Sequence, residues 1–235
     1  MCKAIAAATL IVLLFLAGTR ALAEPGAPMQ RIGREELCVT NGTVSSLPAG
    51  RLAIDSPSSR AVVRVATDQT AELRFRYLGP TTLSKPLASG ELRRQIGLKL
   101  RAQDSCNLVY AMWHIEPDAR FAVSIKRNPG EHTHAECHAQ GYVTVKARHS
   151  TTLPRIQPGE SHSFRAALQG SDLTLVADGR VVWEGTLGRE ISTLDGPVGF
   201  RTDNARFEFA YYVSNPGSNI ASKGSDAKCS TAPED

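Results

Sequence analysis

Hydrophobic and polar residues alternate along several segments of the chain. Within residues 71–78, Leu73, Phe75 and Tyr77 share one side, and basic residues occupy the other. The same period of two runs through residues 96–102. Because the side chains of a β-strand point alternately to its two faces, both segments are predicted to be half-buried strands.

The run 108–115 is apolar at odd and even positions alike. This pattern predicts a central strand whose second face is covered or lines a groove. Shorter strand patterns are found at 52–54, 61–65, 121–126, 142–147, 164–168 and 205–213. No helical period appears after residue 23, so the chain is predicted to be all-β.

The most specific local signal is a hairpin within residues 173–183. Two β-rich runs flank the dipeptide Asp178-Gly179. Both central positions of a type I′ turn need positive φ, and this dipeptide supplies it readily. Turns are also predicted at 128–130 and 157–159, each of which contains Pro-Gly.

The first 23 residues have the pattern of a signal peptide. Lys3 precedes an apolar run over 4–16, and Ala21-Leu22-Ala23 fits a cleavage site. The run is shorter than the roughly 20 residues of a membrane span. We therefore expect a secreted or periplasmic protein without a membrane span.

The rest of the chain is predicted to form one domain. We assign residues 24–37 to an N-terminal extension, 38–214 to the sandwich domain and 215–235 to a flexible tail. Removing Lys3 and Arg20 with the signal lowers the net charge from +4 to +2. This near-balance argues against nucleic acid as the partner, although residues 71–127 are rich in Arg and Lys.

Residues 162–213 resemble the closing half of concanavalin A-like and laminin G-like jelly rolls. The resemblance rests on His162-Ser163-Phe164-Arg165, Gly170-Ser171 and Gly196-Pro197-Val198-Gly199-Phe200-Arg201. The spacing is most similar to that of 3-keto-disaccharide hydrolase-like domains. The resemblance implies an antiparallel two-sheet jelly-roll β-sandwich. Lectins, hydrolases, lyases and adhesion modules all use this architecture.

Four cysteines follow the signal, and an even number in an exported chain predicts two disulfides. Three pairings are possible. We favour Cys106 with Cys137 and Cys38 with Cys229, because the first and last strands of a jelly roll often lie side by side. The second bridge would tether the tail.

Three features were considered as sites for acid–base catalysis or metal binding. Glycoside hydrolysis needs two carboxylates on one strand face or on neighbouring strands, and Glu116 and Asp118 are separated by a proline in a predicted turn. The histidines of segment 132–138 could bind zinc or copper, but an exposed polar loop is favoured. Asp203-Asn204 could bind calcium, but a hairpin turn over 202–205 is favoured. We therefore predict no metal or other cofactor and assign no catalytic residue.

A sugar-binding face combines an aromatic platform with polar groups that fix hydroxyls. The candidate platform and polar residues lie in or beside the predicted central strands: Tyr110, Trp113, His114, Tyr142, Arg101, Asp104 and Asn107. Alternatively, Tyr110 and Trp113 are ordinary core residues and 104–107 is a turn.

The leading hypothesis is a secreted carbohydrate-binding module for glycans, including acidic ones. A glycoside hydrolase or polysaccharide lyase on the same fold is the first alternative, so whether the protein is an enzyme stays open. A structural or adhesion sandwich without a small ligand is the second.

Overall fold

A computed structural model describes residues 28–152 and 155–214 of the protein. Within these residues the chain forms two packed antiparallel sheets. The nine-stranded sheet contains, in spatial order, β11 (His149–Ser150), β14 (Arg180–Thr186), β13 (Asp172–Ala177), β12 (Ser161–Gln169), β6 (Thr70–Pro80), β16 (Ala205–Ser214), β4 (Arg51–Ile54) and β3 (Ser45–Leu47), with β1 (Met29–Ile32) paired to β16.

The second sheet of the described chain has seven strands. In spatial order they are β10 (Tyr142–Thr144), β9 (Arg120–Lys126), β8 (Leu108–Glu116), β7 (Arg94–Leu100), β15 (Gly199–Asp203), β5 (Ser58–Val63) and β2 (Leu37–Asn41). Helical structure in the described chain consists of α1 (His134–Cys137) and 3-10 turns at Arg34–Glu36, Pro48–Gly50 and Arg189–Thr193. The prediction of an all-β, two-sheet jelly-roll sandwich is confirmed.

The core lies between the two sheets, and β8 shows how the sequence builds it. The odd positions of β8 are buried among residues of both sheets, whereas Leu108, Tyr110 and Met112 belong to a separate apolar cluster on the other face. The Trp113 ring packs edge-on against Phe75 and Phe164, with centroids 5.6 and 5.8 Å away. Tyr110 and Met112 lie on the opposite face of the same strand. Both faces are apolar because both are buried, as the run 108–115 predicted.

The hairpin predicted at Asp178-Gly179 is confirmed. Strands β13 and β14 pair antiparallel, and φ is +48° at Asp178 and +76° at Gly179. The Asp178 carboxylate also accepts the Ser163 backbone N–H at 2.7 Å and lies 2.8 Å from Nδ1 of His162. This turn therefore joins β12 to the hairpin as well.

The cysteine prediction is confirmed at one of its two bridges. Cys106 and Cys137 form a disulfide, and both residues are buried. Cys38 is also disulfide-bonded. Its predicted partner, Cys229, lies outside the described residues, so the pairing of Cys38 with Cys229 stays a prediction.

One boundary and one turn differ from the sequence expectations. The nine-stranded sheet begins at Met29, because Met29–Ile32 pairs with the last strand, so part of the segment predicted as an extension belongs to the sandwich. The hairpin predicted over 202–205 was wrong. β15 and β16 lie in different sheets, and Asn204 is the residue that carries the chain between them. The predicted signal peptide (1–23) and the predicted tail (215–235) lie outside the described residues. No helix in the described residues is long and apolar enough to cross a bilayer.

Replacing Trp113 by alanine should lower the free energy of unfolding by about 3–5 kcal/mol, because the substitution leaves a large cavity between the sheets. Urea denaturation followed by circular dichroism measures the loss. Val181→Ala is the control, because Val181 is 43% exposed and its truncation should cost less than about 0.5 kcal/mol. Equal losses in the two variants would contradict the core position of Trp113.

Candidate functional site

A groove of about 680 Å³ covers the face of the seven-stranded sheet that is turned away from the core. Its floor consists of side chains from β5, β7, β8, β9, β10 and β15. Two connections supply its walls: residues 81–93, which we call the wall loop, and residues 127–141, which we call the disulfide loop. The volume is in the range of small-molecule sites.

Strand register orders the groove floor into rows. Asp203, Gln95 and His114 are direct neighbours across β15, β7 and β8, and Arg120 follows on β9. Tyr110 occupies β8 four residues before His114, which places it roughly 13 Å along the strand. The polar row and the tyrosine therefore occupy different parts of the floor.

A buried ion pair forms the middle of the floor. The Asp203 carboxylate accepts hydrogen bonds from Arg201 Nε at 2.7 Å and Nη2 at 3.2 Å, and from Gln95 Nε2 at 2.6 Å. Burial alone would raise the pKa of Asp203, but the Arg201 guanidinium, Arg60 and these hydrogen bonds hold it below its ordinary value. The carboxylate is therefore ionised and fully engaged within the protein.

Two tyrosines form an aromatic platform beside this pair. The rings of Tyr110 and Tyr142 are stacked, with centroids 6.1 Å apart and planes inclined by 22°. Arg201 lies 5.3 Å from the Tyr110 centroid, and Lys126 Nζ lies 5.4 Å from that of Tyr142. Tyr110 is buried, whereas Tyr142 is 42% exposed and so presents the accessible surface of the platform.

Three groove-lining side chains, two in the polar row and one in the wall loop, keep atoms without a hydrogen-bond partner among the described residues: Gln95 Oε1, His114 Nδ1 and Arg93 Nε. Gln95 and His114 are only 2% and 3% exposed, and all three residues line the groove. A buried polar atom without a partner is costly unless a bound molecule satisfies it. These groove-lining side chains therefore have hydrogen-bonding capacity that the described chain leaves unused.

The imidazole of His114 is uncharged at neutral pH. Burial, followed by the positive charges of Arg93 and Arg120, lowers its pKa from 6.5 to about 3. A neutral imidazole offers one N–H donor and one acceptor nitrogen. His114 can therefore both donate to and accept from hydroxyl groups.

Asn204 holds the wall loop in place. Its Oδ1 accepts the Lys85 N–H at 2.8 Å, and its Nδ2 donates to the carbonyls of Lys85 and Arg93 at 2.9 and 3.2 Å. Asn204 is almost fully buried and has φ of +52°, which asparagine tolerates better than most residues. One amide thus fixes the loop at two points.

Lys126 and the disulfide fasten the disulfide loop. The Lys126 ammonium donates to the carbonyls of Ser105 and His138 at 3.0 and 2.8 Å, and it lies 3.1 Å from Cys137 Sγ. Asn107 donates to the Glu131 carbonyl at 2.8 Å and accepts the Asn128 N–H at 2.9 Å. These contacts fix the second wall of the groove.

The structure brings together three of the seven residues that the sequence predicted as ligand-binding. Tyr110, His114 and Tyr142 all line the groove. Trp113 lies on the core face of β8 and does not reach it. Arg101 lines a separate cavity of about 500 Å³ near Gln69.

The other two predicted residues organise the loop around the disulfide. Asp104 accepts the Cys106 N–H at 2.8 Å and the side-chain amide of Asn107 at 2.9 Å. This pattern is a turn over 104–107, the alternative that the sequence allowed for these residues. Asp104 also lies 2.9 Å from Nδ1 of His132 and raises the pKa of that exposed imidazole by hydrogen bonding and charge.

The histidines of segment 132–138 do not converge. His132 faces Asp104, whereas the rings of His134 and His138 lie 6.4 Å apart. Glu136 accepts the backbone N–H groups of His132 and Thr133, both at 2.8 Å, and so caps α1. Within the described residues, no group of three or more His, Cys, Asp or Glu is arranged to hold a metal ion.

Sequence reasoning missed Gln95, Arg201 and Asp203. The available signal was their spacing, since Arg201 and Asp203 are two apart and therefore share one face of a strand. The sequence instead suggested grouping Asp203 with its neighbour Asn204, whose amide bonds the wall loop. That Gln95 joins them depends on the pairing of β7 with β15, which sequence does not reveal.

Comparisons with known proteins confirm the fold. The sequence matches no protein-family model and no curated protein. The carbohydrate-binding module CBM66 from Bacillus subtilis is similar in structure, with a TM-score of 0.52 and 14% identity over 74% of this chain and 91% of that chain.

Two further solved structures match this chain with lower TM-scores. The Emp46p carbohydrate recognition domain in its metal-free form gives a TM-score of 0.47 at 10% identity, covering 77% of this chain and 89% of that one. LamAcat from Zobellia galactanivorans gives 0.42 at 9% identity, covering 71% and 78%. The likeness to CBM66 shows that the chain has a concanavalin A-like sandwich fold, as predicted.

Removing the Asn204 side chain should loosen the wall loop. Asn204→Gly keeps access to positive φ and removes the side-chain amide, so we expect a loss of about 2–4 kcal/mol in unfolding free energy and faster amide exchange across 81–93. Asn204→Ala should lose about 1 kcal/mol more, because alanine disfavours this backbone conformation. Urea denaturation and hydrogen-exchange mass spectrometry test both effects. Unchanged exchange in the glycine variant would refute the anchoring role.

The depressed pKa of His114 predicts a specific pH dependence of stability. Between about pH 6.5 and 3 the unfolded chain binds a proton at this histidine that the folded chain excludes, so stability falls as pH falls. From pH 7 to pH 4 this histidine should cost about 3 kcal/mol. Urea denaturation of the wild type and His114→Gln at pH 7, 5.5 and 4 isolates the effect from other titrations. Parallel pH profiles for the two proteins would exclude it.

Proposed function

We propose that this protein is a secreted or periplasmic carbohydrate-binding module, and that its groove binds an oligosaccharide carrying acidic groups. The observation that carries the proposal is the groove floor, where the Tyr110–Tyr142 platform lies beside buried polar atoms that have no partner among the described residues. Sugars present apolar ring faces and hydroxyl edges. An aromatic surface next to paired donors and acceptors suits both.

Charge supports an acidic ligand. The described residues that line the groove include six basic side chains: Arg60, Lys85, Arg93, Arg120, Lys126 and Arg201. Asp203 is the only acidic residue in the same set. A cleft lined by one sign of charge concentrates ligands of the opposite sign.

The arrangement favours binding over hydrolysis. Glycoside hydrolysis requires two carboxylic groups that flank the scissile bond. Among the described lining residues, Asp203 supplies one carboxylate, and Arg201 and Gln95 already occupy it. The shared fold with CBM66, a carbohydrate-binding module, agrees with this role.

The expected location agrees with the disulfide between Cys106 and Cys137, since such bonds persist in oxidising compartments. The bridge fastens a wall of the groove. The environment outside the cytoplasm would therefore also preserve the binding site.

Tyr142→Ala should weaken oligosaccharide binding about tenfold, because it removes the exposed half of the aromatic platform. Isothermal titration with oligosaccharides selected from a glycan array that includes uronate-containing and sulfated members measures the change. Val143→Ala is the matched control: this neighbouring residue is 60% exposed and does not line the groove.

A blank array, together with a melting temperature that acidic polysaccharides leave unchanged, would reject the proposal. Equal affinities for wild type, Tyr142→Ala and Val143→Ala would show that sugar binds outside the groove.

A further inference from the structure

The cations of the groove are not equivalent. At the end that holds the two tyrosines, Lys126 is 1% exposed and its ammonium donates to the carbonyls of Ser105 and His138. In the middle, Arg201 is held on Asp203 by two hydrogen bonds. Both charges are committed to the protein itself. They shape the floor but are poorly placed to bind a ligand anion.

The opposite end, which we call the arginine end, comprises Lys85, Arg93 and Arg120. The Nη2 of Arg93 pairs with Glu91, while its buried Nε has no partner within the described chain. The Arg120 side chain is 49% exposed. Its Nη1 lies 3.7 Å from Oδ2 of Asp118, which is longer than a hydrogen bond. A guanidinium has five N–H donors, so both arginines retain donors for a ligand.

The field of these arginines reaches the groove floor. Burial is the largest cause of the lowered pKa of His114, and the positive charges of Arg93 and Arg120 are the next largest. Beside them, Gln95 Oε1 and His114 Nδ1 have no partner among the described residues and can hydrogen-bond to hydroxyls. Cations next to hydroxyl-binding groups match a sugar that bears an acidic substituent. The tyrosine end, about 13 Å along β8, offers an apolar platform instead.

We propose that the groove binds its oligosaccharide in one orientation, with an anionic sugar at the arginine end and a neutral sugar ring on the Tyr110–Tyr142 platform. This inference rests on the proposed function and specifies its ligand as a mixed glycan, acidic at one position and neutral at another. The anionic group is a carboxylate or a sulfate ester. Arginine binds either through paired N–H donors.

The test uses three tetrasaccharides of one backbone: a neutral one, one with a terminal uronate, and one with a sulfate at the same terminal sugar. Titrations compare wild type, Arg120→Gln, Tyr142→Ala and the control Arg180→Gln, which lies on the nine-stranded sheet away from the groove. Arg120→Gln should weaken the acidic ligands about tenfold and change the neutral ligand less than twofold. Tyr142→Ala should weaken all three, and Arg180→Gln none.

A second readout follows the His114 imidazole by NMR. An anion at the arginine end offsets the nearby positive charges, so the acidic ligands should raise the pKa of His114. The neutral ligand only buries the ring further and should leave its pKa unchanged or lower. The stronger of the uronate and sulfate responses identifies the preferred anion.

The outcomes separate the two proposals. If Tyr142→Ala weakens every ligand while Arg120→Gln weakens acidic and neutral ligands alike or neither, and no ligand raises the pKa of His114, the orientation is wrong but groove binding stands. If none of the tetrasaccharides binds, or if Tyr142→Ala and Arg120→Gln both leave every affinity unchanged, the groove is not the sugar site and both proposals fail.

Discussion

A buried carboxylate must be compensated, and the compensation of Asp203 by Arg201 organises the groove. The two residues share one face of β15, and Gln95 on the neighbouring strand completes the hydrogen bonding. Both side chains are largely buried, and two hydrogen bonds join them. The Arg201 guanidinium lies over the ring of Tyr110, and Tyr142 stacks on Tyr110. The aromatic platform is therefore packed directly against this ion pair.

The sequence was most informative where local pattern and burial agree. Alternation at Leu73, Phe75 and Tyr77 predicted a strand that the structure confirms. Asp178-Gly179 predicted the hairpin of β13 and β14, because the conformation of a tight turn depends on its own residues. Asn204 shows the limit. Its dipeptide with Asp203 has the composition of a hairpin turn, but the chain crosses there between sheets, and only the pairing of distant strands decides that.

The candidate site was predicted in part for a related reason. Tyr110 and Trp113 were assigned to one platform, yet they are three residues apart, and a strand places residues at odd spacing on opposite faces. Trp113 accordingly packs in the core while Tyr110 lines the groove. Tyr142 joins Tyr110 only through the pairing of β9 with β8 and β10. Strand parity was readable from sequence, whereas the partner strands were not.

The attachment of the wall loop separates what the fold needs from what the site recognises. Asn204 grips the loop at Lys85 and Arg93 through backbone atoms on the loop side, so the contacts are indifferent to most side chains in between. Residues 86–92 can thus vary in sequence, or even in length, while both attachment points stay fixed. Related proteins with this sandwich could in this way acquire different ligand preferences while the packing of their strands stays the same.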